Sequence, residues 1–145
     1  EGGLDAVLSF FTSFGYFPTD LENLTVLNEL GRVLKPGGWF LLDYLNPPYV
    51  RRHLVAESVK PHGEFLIRER RSISSNGERI EKEIVIENWG DREHRYRESV
   101  RLYEREQMVD MLQSADLQVE GILGSFDGES YGVESSRMIL YGRRY

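Results

Sequence analysis

The sequence feature that most constrains the fold is residues 19–43, which read as a helix, a stop and a strand. Thr19 can cap the helix through its hydroxyl, and Glu22 stands at the spacing of a capping box. Leucines recur behind this cap at helical spacing and predict one buried stripe: Leu21, Leu24, Leu27, Leu30 and Leu34. Pro36 and the two glycines after it predict the end of the helix, because proline cannot continue one and glycine turns freely.

A strongly apolar strand is predicted after this stop. Residues 39–42 are a continuous apolar run, which is typical of a strand covered on both faces in a parallel sheet. A helix that returns the chain to a parallel strand is half of a β-α-β unit, so another strand is expected upstream. Residues 4–9 have the required composition. We therefore predict an α/β fold built on these two strands and the helix between them.

An aromatic loop follows the first predicted strand. Residues 10–18 are too irregular for a strand and too broken for a helix. In open α/β sheets, ligands bind at the loops that leave the carboxyl ends of strands. The phenylalanines of this loop either line a pocket for a flat or cationic group or pack beneath the helix, and both interpretations stay open for Phe10, Phe11, Phe14 and Phe17. Tyr16 has a hydroxyl to place and is assigned to the pocket.

A second loop leaves the strand at residues 39–42. Asn46 and Tyr49 flank two prolines that end regular structure, so both side chains are expected to face the same crevice as the aromatic loop. Asn46 has an alternative interpretation as a turn residue before proline. Residues 50–59 then predict a short helix with His53 on its surface.

Three strand-like runs in the middle of the chain predict an inserted three-stranded antiparallel meander: residues 64–74, 79–88 and 94–103. Asn76-Gly77 is a strong hairpin signal between the first two runs, and Trp89-Gly90-Asp91 marks the second reversal. If the runs pair, an acidic face meets a basic face, with Glu81, Glu83 and Glu87 on one strand and Arg95, Arg97 and Arg101 on the other. We therefore interpret these arginines as cross-strand partners and not as a phosphate-binding patch.

The remaining sequence completes the α/β part. Residues 105–115 have the pattern of an amphipathic helix, and residues 117–126 and 136–144 predict two further strands. No repeat, low-complexity segment or linker divides the chain. We expect two structural units, with residues 1–60 and 104–145 forming the α/β part and residues 61–103 forming the meander.

Composition excludes several functional classes. The 145 residues include no cysteine, which rules out disulfides, thiolate metal sites and a cysteine nucleophile. The net charge of −6 is diffuse and argues against a dedicated nucleic-acid binder. No apolar run is long enough to span a bilayer and no signal pattern is seen, so a cytoplasmic location is expected. The sequence opens with Glu1-Gly2-Gly3 directly before a core strand, which leads us to expect a fragment of a longer protein.

Motifs of the commoner catalytic classes do not occur. There is no Gly-x-Gly-x-x-Gly, no Walker-type loop and no Gly-x-Ser-x-Gly elbow. The histidines fall in separate predicted elements without metal-ligand spacing, so no metal site is predicted from His53, His62 and His94. Glu81 and Glu83 lie on a predicted exposed strand face, which makes paired-carboxylate catalysis a poor explanation. Hydrolase and metalloenzyme functions lose most of their support.

Three segments together resemble the C-terminal half of class I S-adenosylmethionine-dependent methyltransferases. The most specific is Arg-Val-Leu-Lys-Pro-Gly-Gly at residues 32–38, followed by the apolar strand. The aromatic loop and the Leu-Tyr-x-x-x-x-Met pattern at residues 102–108 fit a branch that acts on small molecules. The resemblance covers nearly the whole chain. It implies a Rossmann-like sheet, of which this chain supplies strands resembling the fourth to seventh, with an antiparallel last strand.

The resemblance also implies a cofactor, S-adenosylmethionine, and its contacts. Of the family's cofactor contacts, only the loop after the fourth strand carries over, onto Ser9, Phe10 and Phe11. The implied substrate contacts are Phe14, Tyr16, Asn46, Tyr49 and Tyr131. No general base is assigned, because the reaction needs mainly positioning and exclusion of water. The family's Gly-rich loop and the acidic residue ending its second strand are not in this sequence, so the chain alone is expected to bind the cofactor poorly.

Two functional hypotheses follow. The first is methyl transfer to a small-molecule acceptor, with this chain as the C-terminal portion of the enzyme. The second is a non-catalytic interaction or oligomerisation module built on the same half-fold. In the family's layout the meander would act as a lid or a dimer surface. The first strand is expected to present an exposed apolar edge, which a second copy or the missing N-terminal half would cover.

Overall fold

The computed structural model describes residues 3–88 and 93–145. Its elements are, in order, β1 (Leu4–Ser9), α1 (Asp20–Val33), β2 (Leu34–Leu45), α2 (Pro47–His53), β3 (Glu57–His62), β4 (Phe65–Ile73), β5 (Arg79–Asn88), β6 (Glu93–Arg101), α3 (Arg105–Ser114), β7 (Leu117–Leu123) and β8 (Arg137–Arg144). The strands form two sheets, β1-β2-β8-β7 and β3-β4-β5-β6, which we call the first and second sheets. The predicted α/β class is therefore confirmed. No helix in the described ranges is long and apolar enough to cross a membrane.

The first sheet contains the predicted β-α-β unit, since β1 and β2, which precede and follow α1 in the chain, pair in parallel. The predicted capping box is confirmed: the Thr19 hydroxyl accepts from the Glu22 amide, and the Glu22 carboxylate accepts from the Thr19 amide. The end of α1 differs from the prediction. α1 ends at Val33, and residues 34–38 already belong to β2, where Gly37 takes a φ of 77° and the register with β1 shifts.

The buried stripe of α1 differs from the prediction at its first turn. The buried residues are Asn23, Leu27 and Gly31, which follow one another in steps of four. Leu21 is 76% exposed. At about 100° per residue it lies about 120° around the helix from Leu27, outside the face that packs on the sheet. The prediction that Leu21 is buried is therefore wrong.

The main core lies between the first sheet and helices α1 and α3. It includes buried aromatic, leucine and methionine side chains: Phe14, Leu27, Leu34, Phe40, Leu42, Tyr44, Tyr103, Met108, Leu112, Leu117, Met138 and Leu140. β8 runs antiparallel to both β2 and β7, as the resemblance implies for the last strand. The sheet and its helices thus place the carboxyl ends of β1 and β2 side by side.

β1 is an edge strand within the described residues, because it pairs only with β2. Leu4 and Leu8 are both about half exposed on it. The predicted exposed apolar edge is therefore confirmed. What covers this edge stays a prediction.

The second sheet has four strands, so the prediction of a three-stranded meander is wrong by one strand. The helix expected at residues 50–59 is α2, which begins earlier, at Pro47, and ends at His53. Proline suits the first position of a helix, where its missing amide is not needed. The chain then forms β3 at the sheet edge, a position that tolerates Pro61. The predicted division between residues 60 and 61 falls inside β3, and the division into two units stays a prediction.

The cross-strand charges of the second sheet match the prediction in part. Glu83 contacts the guanidinium groups of Arg95 and Arg97 on β6 at 3.6 and 3.7 Å. Arg101 differs, because it is buried and pairs with Asp20 of α1 at 3.1 Å. The hairpin predicted at Asn76-Gly77 joins β4 to β5, and Gly77 has a φ of 73°. The reversal predicted at Trp89-Gly90-Asp91 lies outside the described residues.

Candidate active site

The loop after β1 turns sharply across the end of the first sheet. Phe11 and Thr12 have φ angles of 57° and 56°, in the left-handed region that costs a non-glycine residue about 1–2 kcal/mol. The Phe11 amide donates to the Asp43 carboxylate at 2.7 Å, and the Thr12 amide donates to the Asp43 carbonyl at 3.2 Å. The end of β2 therefore holds this strained loop in place. Strain of this kind is found most often at functional sites.

A buried ion pair supports the loop from the other side. The Asp43 carboxylate is 0% exposed, and the Nε of Arg137 on β8 donates to it at 2.7 Å. A terminal nitrogen of the same guanidinium donates to the Thr12 hydroxyl at 2.8 Å. The sequence alone did not identify Asp43 or Arg137 as residues of the site. The available signal was a carboxylate closing an apolar strand, since a buried charge needs a partner.

Three phenylalanine rings form an aromatic surface at this end of the sheet. Phe10, Phe11 and Phe126 have ring centroids 6.0–6.5 Å apart, and we call them the aromatic cluster. Phe11 is 82% exposed and Phe126 is also exposed. The sequence pattern predicts Phe126 at the end of a strand, but β7 ends at Leu123 and Phe126 lies in the following loop. Aromatic faces at this position suit a flat or cationic group.

Phe14 does not belong to this surface. Its ring is 2% exposed and packs between Tyr44 and Tyr103, with centroids 6.0 and 5.9 Å away. The core interpretation is therefore correct for Phe14, and the substrate contact implied for it is not supported. Phe17 is half exposed and its amide donates to Asn23 on α1 at 3.2 Å.

Tyr16 lies about half exposed beside the second sheet. Partial burial and the nearby Glu98 carboxylate raise the pKa of its hydroxyl above the ordinary value of 10.0. The phenol is therefore protonated at neutral pH and can donate a hydrogen bond. It cannot serve as a base there. Its predicted role as a substrate contact stays a prediction.

The side chain of Asn46 makes its hydrogen bonds within the protein and does not face the crevice. It is 0% exposed, and its amide nitrogen donates to the carbonyls of Gly132 at 2.9 Å and Ser135 at 2.6 Å. Its amide oxygen accepts from the Tyr131 hydroxyl at 3.0 Å. The polar groups of Asn46 and Tyr131 are thus used within the protein. The predicted substrate contact of Asn46 is corrected to a role in fixing residues 130–136.

Asn46→Ala is expected to lower the free energy of unfolding by about 1–3 kcal/mol, because it removes the Asn46 donor to the Ser135 carbonyl and one of the two donors to the Gly132 carbonyl, which also accepts from the Ser135 amide at 3.0 Å. Urea unfolding would measure the loss, and amide exchange should rise in residues 130–136. The matched control is Asn28→Ala on the exposed face of α1, which should be near neutral. Equal losses of unfolding free energy in the two variants would contradict the role of Asn46 in fixing residues 130–136.

A cleft of about 520 Å³ lies between α2, the start of β8 and one face of the second sheet. Tyr49 lines it and stacks on the His53 ring with centroids 4.2 Å apart. Arg137 lines it too, and the guanidinium of the same residue contacts Thr12 in the loop that carries Phe11. The structure therefore brings Tyr49 and His53 to a cleft that adjoins the aromatic loop. The substrate role of Tyr49 stays a prediction.

The chemistry of these groups favours binding over acid–base catalysis. No group of three or more histidine and acidic side chains among residues 3–88 and 93–145 is placed to hold a metal ion. Burial raises the pKa of the Tyr131 hydroxyl, so this phenol is also a donor at neutral pH. The arrangement can hold a flat or cationic group on the aromatic cluster and a second molecule in the cleft.

No protein-family model matches the chain, and no curated protein sequence matches it either. Solved structures do. An S-adenosylmethionine-dependent methyltransferase from Clostridium acetobutylicum ATCC 824 has a TM-score of 0.83 at 12% identity, over 99% of this chain and 59% of that one. The CcbJ methyltransferase from Streptomyces caelestis has a TM-score of 0.78 at 14% identity, over 97% of this chain and 61% of that one.

A third similar structure holds the cofactor. It is an amino pentose methyltransferase from Micromonospora echinaspora with S-adenosylmethionine bound, with a TM-score of 0.66 at 16% identity, over 99% of this chain and 59% of that one. The chain thus spans 59–61% of the length of these three structures. S-adenosylmethionine is the cofactor of methyltransferases with this fold. The assignment of the chain to the C-terminal half stays a prediction. The chain has the fold of class I S-adenosylmethionine-dependent methyltransferases.

Proposed function

We propose that this chain forms the acceptor side of a methyltransferase that transfers a methyl group from S-adenosylmethionine to a small molecule. The observation that carries the proposal is the aromatic cluster, held at the carboxyl end of β1 next to a cleft of about 520 Å³. Among the similar structures, one acts on an amino pentose, which is a small-molecule acceptor. The chain spans less than two thirds of those structures, so the activity is proposed for the polypeptide that contains it.

The residues at the end of β1 fit the cofactor chemically. S-adenosylmethionine supplies an electrophilic methyl group on a positively charged sulfur. Ser9, Phe10 and Phe11 would hold it, since aromatic faces attract a cation by about 0.5–2 kcal/mol. The left-handed backbone at Phe11 keeps that ring exposed before any ligand arrives. Because the ring is already exposed to the ligand, little binding free energy is lost in ordering it.

The methyl acceptor must also be positioned for the transfer. Tyr49 and Arg137 border the cleft in which the acceptor would lie. Tyr16 does not line the cleft itself but is protonated at neutral pH, and in this proposal it donates a hydrogen bond to a part of the acceptor that extends beyond the cleft. We assign no proton acceptor, because in-line methyl transfer gains mostly from alignment of the reacting atoms and exclusion of water.

The proposal is tested by labelled methyl transfer with the polypeptide that contains this chain in its natural reading frame. Tyr16→Ala should lower kcat/KM about tenfold or more, which corresponds to about 1.4 kcal/mol of lost positioning energy. Its effect on the unfolding temperature should be small, because Tyr16 is about half exposed. Tyr96→Ala is the matched control, as Tyr96 is a similarly exposed tyrosine on the second sheet.

Three outcomes decide the proposal. Loss of activity in Tyr16→Ala with activity retained in Tyr96→Ala supports it. Equal loss of activity and stability in Tyr16→Ala would show that Tyr16 is only structural. Absence of both cofactor binding and methyl transfer in the whole polypeptide would overturn the enzyme function and favour a non-catalytic module.

The chain by itself should give little heat in a calorimetric titration with S-adenosylmethionine, and micromolar binding would place the cofactor determinants within it.

A further inference from the structure

The cleft beside α2 has an unusual charge for this protein. The whole sequence has 24 acidic and 18 basic residues. The cleft nevertheless is lined by Lys60, Arg71 and Arg137, and by no aspartate or glutamate among the described residues. A cleft lined by one sign of charge concentrates ligands of the opposite sign. This lining therefore points to an anionic group in the occupant.

Two of the three cations already have acidic partners, and neither of these partners lines the cleft. Arg137 pairs with Asp43 at 2.7 Å, and Arg71 pairs with Glu69. Arg71 also donates to the Ser58 hydroxyl at 3.2 Å, which fixes its position against β3. Within residues 3–88 and 93–145, Lys60 forms no ion pair. Its ammonium group is therefore the cation in the cleft wall that is left to meet an anion from outside.

The rest of the lining is apolar and partly aromatic. Leu45, Leu54 and Ile80 contribute aliphatic surface to the cleft. Tyr49 adds a ring stacked on His53, with centroids 4.2 Å apart. Flat apolar molecules suit such a lining, because ring faces and aliphatic side chains together exclude water from both sides of a planar group. The lining therefore suits an occupant with a flat apolar body in addition to its charge.

We propose that the cleft binds small molecules that combine a flat apolar body with an acidic group, and that Lys60 recognises the acid. As a statement about the methyl acceptor, this rests on the function proposed above. It goes further by naming the chemical class, an aromatic or unsaturated acid whose carboxylate or phosphate lies at Lys60. Arg71 and Arg137 add positive potential but keep their own partners.

The test is an NMR titration of the chain with four probes of similar size: benzoate, phenyl phosphate, benzamide and benzylamine. Benzoate or phenyl phosphate should shift the amide signals of Tyr49, His53 and Lys60. Benzamide and benzylamine should bind about tenfold more weakly, as expected when a charge-assisted hydrogen bond is lost. Comparison of the two anions shows whether the site prefers a carboxylate or a phosphate. Raising the salt concentration should weaken the anions and not benzamide.

Lys60→Met is the deciding variant, because it keeps the length of the side chain and removes its charge. It should abolish the preference for anions over benzamide. Lys35→Met is the matched control, since Lys35 is exposed and pairs with Asp5 at 2.8 Å, away from the cleft lining. It should leave the preference unchanged. Equal affinity for benzoate and benzamide, or an anion preference that survives Lys60→Met, would overturn the proposal.

These titrations contain no S-adenosylmethionine and measure no methyl transfer. A failure here would remove the acidic class of acceptor and leave the methyltransferase function to its own assay. A failure of that assay with success here would leave an acid-binding cleft in a protein that is not a methyltransferase. The two proposals can therefore fail separately.

Discussion

Asp43→Ala should lower the free energy of unfolding by about 3 kcal/mol, the lower end of the range for breaking a buried ion pair, because it leaves the Arg137 guanidinium without its acid. The lower end is expected since the Arg137 side chain is 23% exposed and water can reach part of it. The same substitution removes the acceptor of the Phe11 amide at 2.7 Å. The loop should then lose its left-handed conformation. Urea unfolding measures the first effect, and amide exchange at Phe11 measures the second.

A double substitution separates charge from shape at this site. Asp43→Leu together with Arg137→Met removes both charges and keeps most of the volume, so much of the lost stability should return. The Phe11 amide should stay unprotected, because leucine offers no acceptor. Asp5→Ala is the control for an exposed pair with Lys35 and should cost about 1 kcal/mol or less. If Asp43→Ala and Asp5→Ala cost the same, the buried pair does not hold the loop.

Gly142→Ala should destabilise the chain by about 3 kcal/mol or more, at the upper end of the range for overpacking. Gly142 lies on β8 where it pairs with β7 next to a shift in register. A Cβ atom there would overlap the Gln118 carbonyl oxygen and come within 2.8 Å of its carbon. Both are backbone atoms of the neighbouring strand, so no side chain can move aside. The strands must separate, and β8 also carries Arg137.

Gly3→Ala is the matched control for this substitution. A Cβ atom on Gly3 meets nothing within 4 Å, so its effect should stay within about 0.5 kcal/mol. Urea unfolding of both variants gives the comparison. If Gly142→Ala costs less than about 1 kcal/mol, below the overpacking range, the backbones of β7 and β8 lie further apart at Gly142 than in this structure.

Local patterns predicted the elements whose causes are local. The capping box of α1 depends on two residues three positions apart, Thr19 and Glu22, and it formed as expected. The parallel pairing of β1 with β2 followed from an amphipathic helix between two apolar runs. The contact of Glu83 with Arg97 followed from alternation along each strand. In each case the determining residues are close in sequence or share a two-residue period.

The errors arose where tertiary contacts decide between two allowed structures. Residues 57–62 suit a short helix or a strand, and pairing with β4 selects the strand. Leu21 is as apolar as Leu27, but only one face of α1 meets the sheet, and Leu21 lies off it. Phe14 and Phe11 belong to the same aromatic loop, yet one ring is buried and the other exposed. Propensity and apolar character do not distinguish these cases.

The sequence by itself determined the class of fold and the β-α-β unit of residues 4–45. It predicts a site at the carboxyl end of β1, and that location stays a prediction. These follow from hydrophobic period and chain direction, which any local stretch displays. Only the tertiary structure joined Asp43 to Arg137 across 94 positions and Asn46 to Tyr131 across 85. Such pairs depend on which strands become neighbours, and no local spacing encodes that. The same assembly placed Lys60 in a cleft that no acidic side chain of residues 3–88 and 93–145 lines, and the class of ligand is inferred from this.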